Sequence, residues 1–201
     1  LAGYAGGHFR FTFFPPVEGD NVAAWVTYPR GCPVETTEAA VVRLNNAAKT
    51  LQLEFSKSND VRQVILHSMA SVGQQPFRTE SEQAGGNLGS NHAGSHKGEV
   101  HLEVAPSEER TISSQQIADR WRELAGDFPG AVEVGFSANI FSAGKPVNIR
   151  LTGPDMDALQ AAATRLKSQL ADIDGVRDIN DSFRLGKQEF LIRLSPEGEA
   201  L

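Results

Sequence analysis

An α+β sandwich is the fold class this sequence predicts, and three observations predict it. Short segments alternate apolar and polar residues with the period of a half-buried strand. Longer segments repeat apolar residues at steps of three and four, the period of an amphipathic helix. The order of these segments is strand, helix, strand, strand, helix, strand, and a four-element version of the same order follows. A split βαβ plan accounts for that order, with two helices on one face of a four-stranded antiparallel sheet.

Asp20 to Tyr28 (DNVAAWVTY) is rich in β-branched and aromatic residues and is closed by Pro29, which predicts a first strand. Pro33 suits a first helical position. After it Val41, Leu44, Ala48, Leu51 and Phe55 fall on one helical face. Val61 to Met69 (VRQVILHSM) follows the turn-prone Lys57-Ser58-Asn59-Asp60 and has strand length. Residues 71–98 are rich in Gly, Ser, Asn and Gln and read as a long mobile loop of the kind that often carries function. Glu99 to Val104 then alternates, with Val100, Leu102 and Val104 on one face. Ser113 and Gln116 make a capping-box pair, and Ile117, Trp121, Leu124 and Phe128 continue as a helical stripe that Pro129-Gly130 ends. Val132, Val134 and Phe136 predict the fourth strand, which completes one βαββαβ unit of the ferredoxin-like type.

The second unit is expected from residue 143 onward. Val147, Ile149 and Leu151 alternate as a strand. Gly153-Pro154 opens a helix striped by Leu159, Ala163, Leu166, Leu170 and Ile173, which Asp174-Gly175 stops. Val176 to Phe183 and Phe190 to Leu194 supply two further strands, giving a partial βαββ. Val26–Ala40 and Ile149–Ala162 share the order strand, Gly, Pro, acidic residue, Ala-rich helix start, an internal echo of one plan used twice. A unit short of two elements is expected to leave a sheet edge and an apolar face uncovered, and so to self-associate.

Composition narrows the function classes. The 201 residues are 40% hydrophobic and 22% charged, which suits a packed globular chain. A formal charge of -6 without a Lys/Arg block gives no support to nucleic-acid binding. Arg, Glu, Asp or Asn interrupts every apolar stretch before it reaches the ~20 residues a membrane-spanning helix needs. Leu1 to Gly7 lacks signal-peptide features, and the expectation is a segment of a longer protein with its export information elsewhere. A single cysteine, Cys32, excludes an internal disulfide, and its Gly31 and Pro33 neighbours make it a structural turn or cap residue.

Phe13-Phe14-Pro15-Pro16-Val17-Glu18-Gly19-Asp20, then a strand ending in Tyr28-Pro29-Arg30-Gly31-Cys32-Pro33-Val34-Glu35, resembles the stretch after the seventh transmembrane helix of resistance-nodulation-division (RND) efflux transporters, of the AcrB/AcrD/AcrF-like type. Asp178-Ile179-Asn180-Asp181 and Lys187 to Leu201 (KQEFLIRLSPEGEAL) resemble the lead into that family's docking subdomain. The resemblance runs from about Phe11 to Leu201. It implies a complete first C-terminal porter subdomain at 10–142 and the first part of the second at 143–201. The implied protein is a proton-driven homotrimer of the bacterial inner membrane with this segment on the periplasmic side. It would work with a periplasmic adaptor and an outer-membrane channel, passing hydrophobic or amphiphilic molecules through the cleft between the two subdomains. No enzyme activity, cofactor or metal is implied.

Within that resemblance the 71–98 loop matches the family's flexible loop between its pockets, so Phe77, its one aromatic ring, is a candidate cargo contact. Phe136 matches an aromatic near the cleft entrance, although its alternation with Val132 and Val134 favours the core. Arg184, on the last hairpin, is the third candidate. His92 and His96 in the polar loop read as solvated rather than as metal ligands. Met69 and Met156 are the only methionines, too few for soft-metal export, which favours the hydrophobic or amphiphilic branch. Two rivals stay open. One is a stand-alone periplasmic binding module. The other is an acylphosphatase-like enzyme, for whose basic glycine-rich anion loop only Arg30-Gly31 gives a hint.

Overall fold

The computed structural model describes residues 18–58, 63–84, 92–138 and 147–183. Their order is β1 (Asn21–Thr27), α1 (Val34–Ser58), β2 (Ile65–Gln74), α2 (Pro76–Ala84), β3 (Ala93–Val104), a single 3-10 turn (Ser107–Glu109), α3 (Ser114–Ala125), β4 (Glu133–Ser137) and α4 (Met156–Ala171). The four strands form one sheet in the order β2-β3-β1-β4. Every neighbouring pair is antiparallel. The fold is α+β and ferredoxin-like, as the alternation predicts.

One parity of each strand makes the core. Val22, Ala24 and Val26 of β1, Val100, Leu102 and Val104 of β3, and Phe136 of β4 pack against Val41, Leu44 and Leu51 of α1 and Ile117 and Trp121 of α3. Each large side chain so buried stabilises the fold by roughly 1.5–3 kcal/mol. The Trp121 indole N–H keeps a partner in this apolar setting by donating to the Leu44 carbonyl at 2.9 Å. Cys32 is partly buried against the same core, in keeping with a structural role.

Helix ends follow their caps. Ser113 and Gln116 form the expected reciprocal capping box at the start of α3. The helix stops earlier than Pro129-Gly130, at Gly126, whose φ of 63° is left-handed. Arg110, its side chain 1% exposed, fastens the approach to α3. Its guanidinium donates to the carbonyls of Ala105 at 2.8 Å and Gly19 at 3.0 Å and to the Ser114 hydroxyl at 2.6 Å.

Two expectations need correction. The long loop at 71–98 is largely ordered structure: β2 runs on to Gln74, α2 follows, and β3 begins at Ala93 rather than Glu99. The β2–β3 ladder extends from Ile65↔Val104 to Gln74↔Ala93, because polar strand residues pair as well as apolar ones when a neighbour is in register. After β4 the helix expected from Gly153-Pro154 forms, with the Asp155 carboxylate accepting from the Asp157 and Ala158 N–H groups. The strands expected at Val147–Leu151 and Val176–Phe183 do not form among the described residues. Val147, Ile149 and Leu151 are 57%, 50% and 40% exposed. Alternation gives a segment one apolar edge, but only a ladder partner makes it a strand. The strand expected at Phe190–Leu194 lies outside the described residues.

Candidate functional site

α1 and α3 cover one face of the sheet, and α2 lies on the other. That second face carries the opposite parity of each strand: Trp25 and Thr27 of β1, Glu99 and His101 of β3, Glu133 and Gly135 of β4. Pro76 opens α2 at a position where the missing N–H costs nothing. The other free N–H groups of its first turn are met from the sheet. Glu99, 1% exposed, accepts from Phe77 N–H at 2.8 Å through one carboxylate oxygen and from Arg78 N–H at 2.9 Å through the other. A side chain from β3 thus serves as the cap of α2. Burial lifts the Glu99 carboxyl above the usual carboxylate range, against the two N–H donors and the Arg78 charge, which favour ionisation.

Arg78 is the hub. Its guanidinium meets Glu133 at 2.8 Å, Glu82 at 3.0 Å and the Gln75 side-chain oxygen at 3.3 Å, and it lies 5.1 Å from the centre of the Trp25 ring. The Trp25 ring rests on Gly135, where any Cβ would come within 2.3 Å of it. Gln75, fully buried, donates its amide N–H to the Val26 carbonyl at 2.9 Å and the Gly98 carbonyl at 3.2 Å. These groups fasten the start of α2 to the middle of the sheet.

Beside the helix, Gln74, Thr79, Glu80, Gln83 and His92 line an open polar recess of about 460 Å³. His92 contacts Glu82 at 3.0 Å, and His101 contacts Asn21 at 2.8 Å. Burial draws both imidazoles below their usual value, opposed for His92 by Glu82 and for His101 by Glu103 and Glu80. The reading of His92 and His96 as solvated loop residues is therefore corrected. His92 is a half-buried partner of α2, and His96 lies within β3. A loop composition was read where the chain in fact forms a ladder.

The three candidate cargo residues fare differently. Phe77 is on α2, half-buried, and stacked on His101 with ring centres 4.6 Å apart. Phe136 is 7% exposed; its ring packs edge-on against Trp121 at 5.5 Å and lies under Arg122 at 4.8 Å. It faces the core side, away from Phe77. Arg184 lies outside the described residues. Trp25, Gln75, Arg78, Glu99 and Glu133 were not singled out from sequence. The available signal was Pro76 followed by Glu80 and Glu82, a helix start hidden in glycine-rich surroundings.

The segment after α4 touches α3 and β4 through polar side chains. Arg122 of α3 meets Asp178 at 2.8 Å, and Arg177 meets Asp119 at 2.6 Å. The Asn180 amide donates to Glu133 at 3.3 Å, joining this segment to the network under α2.

The fold and site define a class: a ferredoxin-like α+β module whose open sheet face carries a side-chain-capped helix. No protein-family model matches the sequence, and no curated protein is significantly similar to it. Among solved structures the chain is similar to a heavy metal efflux pump in crystal form II. The TM-score is 0.56 at 18% identity, over 94% of this chain and 18% of the pump's. It is also similar to a heavy metal efflux pump in crystal form I, with a TM-score of 0.48 at 18% identity, over 83% of this chain and 16% of the pump's. The chain therefore spans less than a fifth of those pump chains, and what it shares with the pump in crystal form II at this identity is the fold.

Proposed function

We propose that this chain is a periplasmic porter module of an RND efflux pump, with the first porter subdomain at 10–142 and the first part of the second at 143–201. The observation that carries this reading is the fold likeness to an efflux pump over 94% of the chain. In this reading the module handles cargo and catalyses no reaction. The complete protein is a proton-driven trimer of the inner membrane, working with a periplasmic adaptor and an outer-membrane channel.

The proposed cargo is hydrophobic or amphiphilic. Phe77 presents a half-buried ring on a helix that rests on polar groups, and Leu66, Met69 and Val72 of the neighbouring edge strand are 36%, 47% and 38% exposed. Apolar contact with a few placed polar groups suits an amphiphile. A second reading, metal-ion cargo, is favoured by the solved pumps' heavy-metal character and by one feature here. Met69 stands opposite His101 in the β2–β3 register, a thioether beside an imidazole.

The test has two arms. The reading frame around this segment, expressed whole in an efflux-deficient bacterium, is expected to encode flanking apolar helices and to lower accumulation of a fluorescent amphiphilic dye. Unchanged dye accumulation together with resistance to silver or copper ions would move the assignment to metal cargo. A frame without flanking apolar helices overturns the pump reading and favours a stand-alone binding module.

A further inference from the structure

The segment that follows α4 is fastened to β4 and α3 at several points. The Asp178 carboxylate accepts the Phe136 N–H of β4 and meets the Arg122 guanidinium at 2.8 Å. Arg177 meets Asp119 at 2.6 Å, and Lys167 of α4 meets Asp181 at 2.6 Å. Asp178 has a φ of 55°, the one positive value outside glycine among the described residues. A side chain persists in that left-handed region where its surroundings hold it there, and here its own carboxylate contacts do so.

One atom joins this segment to α2. Glu133 Oε1 accepts from the Arg78 guanidinium at 2.8 Å and from the Asn180 amide at 3.3 Å. The Arg78–Glu133 pair is buried, and Asn180, in contact with the shared oxygen, occupies a place that water would otherwise take. Two elements from opposite ends of the chain thus close on a single carboxylate of β4.

We propose that Glu133 links the docking of residues 176–181 to the docking of α2, each element holding more tightly while the other is in place. With the segment down, Arg78 and Glu133 meet in a buried setting, where breaking the pair is costly. With the segment lifted, water reaches the carboxylate, and the same pair becomes a surface contact that contributes little. Linkage makes the effect reciprocal. When α2 lifts, it takes the guanidinium away and leaves a carboxylate that must be hydrated, which loosens the Asn180 contact. α2 also carries Phe77, so a molecule that presses on that ring shifts the docking of the segment beyond β4. This inference does not depend on the pump reading, since it concerns the joint between two elements and not the cargo.

Amide hydrogen exchange on the 201-residue chain tests it. Asp178→Ala removes a carboxylate that meets β4 and α3, so its effect reaches α2 through the segment. Residues 79–84 are expected to lose protection about fivefold or more in D178A, while β1 keeps its own. In an E133Q background the shared oxygen belongs to a neutral amide, and the further loss caused by D178A is expected to stay within about twofold, as for independent sites. Unchanged protection of 79–84 in D178A, or the same further loss in E133Q, overturns the proposal. Should D178A also unprotect β1, Asn180→Ala decides by the same comparison. A loss confined to 79–84 supports the link, and no loss, or one that spreads to β1, refutes it.

Discussion

Replacing Arg78 with Met tests whether the charge network, and not apolar contact, holds α2 on the sheet. Arg78 and Glu133 meet at 2.8 Å with side chains 10% and 6% exposed, so the pair is buried. Removing one partner of such a pair costs about 3–5 kcal/mol. The Asn180 amide stays 3.3 Å from Glu133, which puts the expected cost near the lower end, about 3 kcal/mol. Loss of the guanidinium over Trp25 adds roughly 0.5–1 kcal/mol. Against a total stability of about 5–15 kcal/mol this is a large fraction, readable in urea unfolding followed by tryptophan fluorescence. The cycle R78M, E133Q and the double variant separates charge from shape. A coupling of about 2 kcal/mol is expected, with the double variant more stable than the sum of the singles implies. If R78M unfolds within about 0.5 kcal/mol of the native chain, as a surface change would, the network does not hold the helix.

Gly135→Ala is expected to cost about 1–3 kcal/mol and to shift Trp25 emission, because the new methyl would sit 2.3 Å from the indole ring. Ser113→Ala is expected to lower stability by about 1 kcal/mol through loss of the α3 cap, measured as a fall in Tm, while Ser113→Asp largely preserves it. Phe77→Ala is expected to weaken binding of an amphiphilic dye and to cost about 0.5–1.5 kcal/mol of stacking on His101. Dye binding unchanged in F77A would remove that ring from the cargo surface.

The legible parts of this fold are those whose signal is local. Leu44, Ala48 and Leu51 were readable because helical spacing alone puts them on one buried face, and the Ser113–Gln116 box because both partners lie within one turn. The start signal of α2 at Pro76 is hidden by its glycine-rich surroundings, and its cap, Glu99, is supplied by another element and looks in sequence like the solvent side of a strand. The site was hidden for the same reason. Trp25, Arg78, Glu99 and Glu133 meet only when β1, α2, β3 and β4 are assembled. Phe77 was found for its isolation among polar residues, but its stacking on His101 depends on that assembly too. At Val147, Ile149 and Leu151 a correct alternation led to a strand that the described structure does not form, because pairing is a property of two segments.

Glu99 reaches back across 21 residues to Arg78 to cap α2, and this sets an order of events in time. A helix of nine residues is too short to persist alone in water. Its cap comes into place only once β2 and β3 have paired, which brings Glu99 to the start of the helix. The sheet therefore recruits the helix: α2 is expected to be the last element acquired during folding and the first surrendered to a protease. Nicking should begin within 76–84 while the hairpin beneath stays intact.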